Sequence, residues 1–329
     1  LLRLLDVRPA HLVHDLHPDY VSTRLASRLA ATRLPGVQLH AIQHHHAHVL
    51  ATLAEHGRTG PALGIALDGA GWGTDGTSWG GEVLAVDGTD CARLAHLRSW
   101  PMPGGDRAVR EIWRLAVGAL VELDLEDAIP ALAARWPTAR PDLVAAVARL
   151  AGTGRDLPRS TSAGRLFDVV AALAGVADTS AYEGEAAIRL EQIAVDPADA
   201  EPYPFARTGA VPEILDTAPL LRAVIADVRT GVPPGIVAAR FQITLLEAVA
   251  ATTVAAAHAT GLRCVALGGG VFQNATLLAG FEARLAAAGL KALAPASVPA
   301  NDGGLALGQA LFGALNARRP EGLHRRVRV

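Results

Sequence analysis

The segment AIQHHHAHVLATLAEHG, residues 41–57, carries four histidines in five consecutive positions: His44, His45, His46 and His48. It sits where a strand-like run gives way to a helix-like one. On a helix, positions four apart lie on one face, so His44 and His48 project together while His45 and His46 point elsewhere. An H-x-x-x-H pair chelates a first-row metal through imidazole nitrogens. Two ligands are too few for a site, and without a third the pair is a polar helix face with structural histidines. Asp68 is one carboxylate placed to complete it. It closes the apolar run ALGIALD and opens DGAGWGTDG, so it stands at the end of a buried strand beside glycines, where α/β folds put ligand-binding groups. Its alternative is to shape the turn through its own side-chain oxygen. Asp302, in VPANDGGLALGQALFGAL, is either a helix N-cap or a ligand delivered from a second lobe.

Two glycine-rich segments suit a phosphate-bearing ligand. DGAGWGTDGTSWGG (68–81) turns tightly and exposes backbone N–H groups. VALGGGVFQN (265–274) runs from strand through three glycines to a helix start, an arrangement that suits an anion. Neither is a P-loop or a dinucleotide fingerprint. In STSAGRLFDVVAALAG (160–175), Ser162 is in N-cap position and Asp168 stands within the helix. YEGEAA (182–187) adds Glu185. Both carboxylates suit ribose hydroxyls, with solvated helix charge as the alternative. Arg107, Arg110 and Arg114 share a helix face, either for an anion or for a salt-bridged surface with Glu111.

The elements that must position these groups alternate early and turn helical later. Strand-like segments fall at 11–16, 37–42 and 61–68, with more strand through the glycine-rich region and in CARLAHLRSW; helices fall at 20–33 and 43–56. From Asp106 helices dominate, at 106–123, 141–150, 163–174, 184–194, 219–230 and 235–260. A strand returns at 264–268, then a helix (274–288), a short strand (291–294) and a last helix (303–317). Residues 195–217 read as a loop excursion. This order implies an α/β fold with parallel strands at 37–42, 61–68 and late in the chain, and the two glycine-rich units suggest two lobes with a cleft between them.

At 329 residues the chain has room for one large domain or two lobes. A net charge of −2 provides no basic field for nucleic acid. The most apolar stretch, Ala248 to Leu262, is interrupted by His258 and reads as a buried helix, not a membrane span. No signal peptide is visible, so a cytoplasmic location is expected. Cys91 and Cys264 exclude a disulfide framework or a cysteine zinc site, and both read as small buried hydrophobes. The chain opens without Met inside an apolar run, as expected of a piece of a longer polypeptide.

In order along the chain, HDLHPDYVSTRLA, QHHHAH, DGAGWGTDGTSWGGE, PMPGGDRAVREIWRLA, SAGRLFDVVAALAG, YEGEAA, GGGVFQN and NDGGLALGQAL resemble the C-terminal portion of the HypF family of hydrogenase maturation carbamoyltransferases. The resemblance implies an actin-like ATPase (ASKHA) fold of two lobes, similar to tRNA threonylcarbamoyl transferases and antibiotic O-carbamoyltransferases. Residues 1–105 and 303–329 would form the N-terminal lobe and 106–302 the C-terminal lobe, with metal and nucleotide in the cleft. It implies one divalent metal, zinc or iron, on His44, His48, Asp68 and Asp302. It implies a site for ATP or carbamoyl-adenylate at Gly69, Asp168, Gly184, Glu185, Gly269, Gly270 and Asn274. The implied reaction moves a carbamoyl group from carbamoyl-adenylate to the C-terminal cysteine of a partner, HypE, whose thiolate is the nucleophile. No role is implied for His45 or His46. Complete members carry acylphosphatase-like, zinc-finger and adenylate-forming domains before this region. None lies in these 329 residues, so the transfer half-reaction alone is expected. A tRNA threonylcarbamoyl transferase, a nucleotide-binding docking module and a mononuclear iron oxygenase are the alternatives. The first fits QHHHAH and YEGE less well, and the last is disfavoured by the second Asp and the glycine-rich turns.

Overall fold

The computed structural model describes residue 4 and residues 6–153, 156–196 and 200–318. The apolar run at the start, Leu4 excepted, and the expected lobe segment beyond 318 lie outside the described residues. Strands β1 (His11–Asp15) and β2 (Gln38–Ile42) pair in parallel, joined by helix Val21–Thr32, and form a sheet of their own. Strands β3 (Ala62–Trp72), β4 (Ser78–Asp87) and β5 (Asp90–Leu97) form an antiparallel meander. Short strands β6 (Trp100–Pro101) and β7 (Arg159–Ser160) adjoin it. The sheet continues with β8 (Ala206–Arg207), β9 (Glu213–Asp216), β10 (Cys264–Gly268) and β11 (Lys291–Leu293), in the order β11-β10-β3-β4-β5-β9-β8.

The sequence of β3 explains its central place. Successive side chains of a strand face opposite sides of the sheet, and ALGIALD alternates small with large. Leu63, Ile65 and Leu67 enter the larger core with Phe167, Phe241 and Val249. Ala62 and Ala66 face the smaller core with Val49, Leu50 and Leu53 of helix His44–Glu55. Between them Gly64 lets the helix lie close: a Cβ there would stand 2.4 Å from a methyl of Val49. Helix Leu305–Ala317 covers the helix's outer side and needs a second such gap, because a Cβ on Gly308 would stand 1.8 Å from the Ala47 carbonyl oxygen. Residues 44–53 are consequently all buried. On the other side of the sheet lies helix Pro234–Thr260. Its length and composition would suit a membrane span, but its Phe241, Leu245 and Val249 pack in the larger core.

Several expectations change at long range. The run 106–123 is two helices, Asp106–Arg110 and Trp113–Glu122, broken where Glu111 takes ψ +73°. The 195–217 excursion contains β8 and β9, and β9 extends the sheet alongside β5. Strand 38–42 pairs with β1 and not with β3. The glycine-rich segments lie side by side: β3 and β10 are parallel neighbours, Leu63 opposite Val265 through Ala66 opposite Gly268. The sheet therefore continues across the division placed between residues 105 and 106. The early glycine-rich stretch is a bulged hairpin, with the bulge between Leu67 and Gly71 and the turn at Gly73–Thr77.

Filling the gap between the two packed helices cannot be relieved by a flexible side chain, since the obstacle is backbone. Gly308→Val is expected to destabilise the fold by about 2–3 kcal/mol, measured as a lowered urea midpoint at unchanged m-value.

Candidate metal and nucleotide site

Helix His44–Glu55 begins under a Gln43 cap, whose Oε1 accepts the His46 N–H at 3.0 Å. His44 and His48, one turn apart, turn their Nε2 atoms to within 3.2 Å of each other. Asp68, at the bulge ending the regular part of β3, brings Oδ2 to 3.2 Å from His44 Nε2 and 3.4 Å from His48 Nε2. Its other oxygen, Oδ1, accepts the Gly270 N–H at 2.9 Å, so the neighbouring strand fixes its orientation. Asp302 is freed from capping because Asn301 does that work, its Oδ1 accepting the Gly303 N–H. Asp302 Oδ1 lies 3.3 Å from His44 Nε2 and 3.4 Å from His48 Nε2. The loop bearing it is tied back to the same helix: Glu55 accepts the N–H groups of Ala296, Ser297 and Val298.

One donor atom from each of these four residues lies within 4.8 Å of the others. For ligands about 2.0–2.1 Å from a central ion, a tetrahedral edge is about 3.4 Å, close to the separations given above. The proton inventory points the same way. His44 Nδ1 meets Asp15 Oδ2 at 2.7 Å, which commits that nitrogen as a donor. The neutral ring then presents a lone pair at Nε2 to another imidazole and two carboxylates. Acceptors aimed at one another require a cation among them, either protons or a metal. Burial opposes charge on His44, yet its bonds to Asp15, Asp302 and Asp68 raise its pKa to about 12. His48 is raised likewise by Asp302 and Asp68 against its burial. Burial opposes charge on Asp68 too, but the histidines hold it well below the usual carboxylate range, and His44 and His48 lower Asp302. The donor set fits a divalent metal with mixed imidazole and carboxylate ligation.

Asp15 was not singled out from the sequence, although it ends β1 much as Asp68 ends the apolar run of β3. It is the carboxylate that orients the His44 imidazole. His46 is a pin: its Nε2 meets the Gly88 carbonyl at 3.1 Å, and burial pushes its pKa down to about 4. His17 stacks on Tyr20 and His14 contacts the Asp15 carbonyl.

Asp68 and Asp302 also line a cavity of about 490 Å³, within the usual range for small-molecule sites. Of the residues expected at the nucleotide, Gly69, Asp168, Gly184, Gly270 and Asn274 line it. Two do not. Glu185 is turned into its own helix start, accepting the Ala181 N–H at 2.6 Å and pairing with Arg189 at 2.5 Å. Gly269, at φ +100°, instead permits close approach to β3, since a Cβ there would lie 2.3 Å from the Leu67 carbonyl oxygen. Glu183, Glu191 and Arg165, not expected, line the cavity. Asn274 uses its Oδ1 to cap Leu277 and its Nδ2 to hold Gln242. Asp168 is buried, and desolvation raises its pKa to about 6 against the lowering pull of Arg165. Arg165 stands 3.1 Å away, too poorly aligned for a hydrogen bond, so Arg165 Nε and Asp168 Oδ2 are left without partners. Arg107 and Arg114 both pair with Glu111, the salt-bridged alternative. Cys264 is buried in β10 while Cys91 is exposed on β5, contrary to expectation, and neither lines the cavity.

Two family models match: "HypF Kae1-like domain" over residues 1–55, and "Carbamoyltransferase, Kae1-like Domain, second subdomain" over residues 64–309. Carbamoyltransferase HypF2 of Cupriavidus necator is 44% identical over 335 residues, spanning 94% of this chain and 40% of that protein. A carbamoyltransferase HypF homolog of the same organism is 45% identical, across 91% of this chain and 76% of its own length. Full-length HypF solved in a phosphate- and nucleotide-bound form superposes with a TM-score of 0.88 at 31% identity, covering 98% of this chain and 49% of that one. HypF of T. kodakarensis gives 0.81 at 32% identity, over 93% and 40% of the two chains. The chain thus spans well under half of HypF2. With the mixed α/β fold, the matched models and these identities in agreement, the chain belongs to the HypF carbamoyltransferase family and carries its Kae1-like domain.

Proposed function

We propose that this chain performs the transfer step of a carbamoyltransferase in hydrogenase maturation, moving the carbamoyl group of carbamoyl-adenylate to the C-terminal cysteine of HypE. The observation that carries this reading is that two members of the cation-seeking cluster, Asp68 and Asp302, also line the cavity that holds Asp168 and Arg165. In the reaction a C–S bond forms at the carbamoyl carbon and the C–O bond to the phosphate breaks. AMP leaves and the thiol proton is released. The thiol comes from the partner, since neither cysteine of this chain lines the cavity. The adenylate comes from an adenylate-forming domain of the parent protein.

The residues divide the work by charge. Asp168, buried with an unpartnered oxygen, accepts the ribose hydroxyls, and the Arg165 guanidinium is a donor for the nucleotide phosphate. His44, His48, Asp68 and Asp302 would hold a divalent metal, zinc or iron, which would supply Lewis acidity toward the carbamoyl carbonyl. Asp15 keeps the His44 ring in one tautomer. The side chain of Asp302, 68% exposed, marks the side from which solvent and ligand reach the cluster.

Transfer is tested by incubating the chain with ATP, carbamoyl phosphate, the adenylate-forming domain and a peptide ending in cysteine. Mass spectrometry should detect one carbamoyl group on the peptide, and His44→Ala/His48→Ala should lower the yield at least tenfold. ATP bound with the peptide unmodified would leave a docking module in place of a transferase. Asp168 makes a second prediction. Its folded pKa of about 6 exceeds the ordinary 3.8, so its contribution to stability is full below about pH 4 and is lost as pH rises through 6. Asp168→Asn should therefore stabilise the protein by about 1–3 kcal/mol near pH 8, with the gain vanishing near pH 4, as read by urea denaturation. The same variant should weaken ATP binding about tenfold in calorimetry, the loss of hydrogen bonds to a charged group.

A further inference from the structure

His45 is wholly buried and lies between two proposed metal ligands in the helix, yet it is not one of the four clustered donors. Its tautomer can be derived. The Gln43 amide is fixed by two backbone partners: Oε1 accepts the His46 N–H at 3.0 Å and Nε2 donates to the Trp72 carbonyl at 3.1 Å. The second hydrogen on Gln43 Nε2 then faces His45 Nδ1 at 2.9 Å. That ring nitrogen must be the acceptor, so the proton of the neutral ring sits on Nε2. His45 Nε2 is one of three buried side-chain atoms among the described residues that lack a hydrogen-bond partner. The carboxylate it faces is Asp68, whose Oδ2 is 3.9 Å away.

We propose that His45 is a positioning residue that donates its Nε2–H to Asp68 Oδ2, with Gln43 holding it in the donor tautomer. The inference rests on the metal reading of His44, His48, Asp68 and Asp302. The gap exceeds a hydrogen bond by about 1 Å, within the reach of a small rotation of the Asp68 carboxyl, whose other oxygen stays on Gly270. The arrangement also accounts for a third imidazole beside the cluster that is not a ligand. A ring with hydrogen on Nε2 has no lone pair to give a metal there, and Gln43 occupies its only lone pair. Neighbouring packing keeps the ring from turning: a Cβ on Gly71 would lie 2.5 Å from His45 Cε1, and Trp79 stacks on the ring at 6.5 Å between centroids.

The test is a titration with Co²⁺ followed by its visible absorption, on the whole chain and on His45→Phe and His45→Gln. His45→Phe keeps a ring but no donor, and should bind about 10–100-fold more weakly with altered d–d bands. His45→Gln restores an N–H at the same distance along the side chain and should stay within about threefold of the parent. If the parent binds and His45→Phe matches it in affinity and spectrum, the role of His45 is refuted and the metal site stands. If the parent itself fails to bind, the metal reading falls and the inference with it. Should His45→Phe fail to fold, the long-range ¹H–¹⁵N spectrum of the zinc-loaded parent, assigned through His45→Gln, decides. A protonated Nε2 at His45 is the expected result, and a protonated Nδ1 overturns the proposal.

Discussion

A helix covered on every side leaves its polar residues no water to turn to, and helix His44–Glu55 begins with three consecutive histidines and a fourth one place on. Each ring nitrogen must find a partner inside the protein or contribute a cost of about 1–3 kcal/mol. His46 takes the Gly88 carbonyl and His45 takes Gln43. His44 takes Asp15 on one side, leaving its other nitrogen, with that of His48, to face Asp68 and Asp302. Everything around the site follows from that demand. Small residues at Gly64 and Gly308 bring sheet and last helix close enough to exclude water, and the excluded water makes the convergence of acceptors meaningful as a cation site.

Two carboxylates around one cavity are driven in opposite directions by the same dryness. Asp68 loses water but gains two imidazoles and the Gly270 N–H, and stays ionised. Asp168 loses water and gains only a misaligned Arg165, so its carboxyl tends toward the neutral form. Under the proposed function, a ligand that offers hydroxyls to Asp168 and phosphate to Arg165 would supply the partners these two side chains lack. The stability lost at Asp168 is the structural side of that lack.

The local part of this was legible in the sequence. The four-residue spacing of His44 and His48 is helical geometry, and the boundary between an apolar strand and glycines marked Asp68. The Ser162 cap and the helix from Ala163 to Ala174 are likewise short-range. What was not legible depends on strand order and helix phase. Strand order decided that the two glycine-rich segments are neighbours and that β9 completes the sheet, and no periodicity encodes it. Helix phase decided between Glu183 and Glu185: Gly184 at φ +78° starts the helix, so the residue before it reaches the cavity and the one after it closes the turn. Asp15 was hidden because its partner, His44, lies twenty-nine positions away.

The four clustered donors also differ in how firmly they are held. His44, His48 and Asp68 are buried on a helix and a strand, whereas the Asp302 side chain is 68% exposed at the start of the short 3-10 turn Asp302–Gly304. The loop bearing it is not independent of the helix, because Glu55 at the helix's far end grips three of its N–H groups. One helix thus supplies two of the four clustered donors at its start and, from its end, ties down the loop that carries Asp302. In the proposed site three donors stand on buried elements, and the fourth, Asp302, stands on an exposed turn whose loop is tied to the same helix. The cavity is lined by Asp68 and Asp302 and not by the histidines, so the two carboxylates are the members of the cluster that a ligand in it would meet.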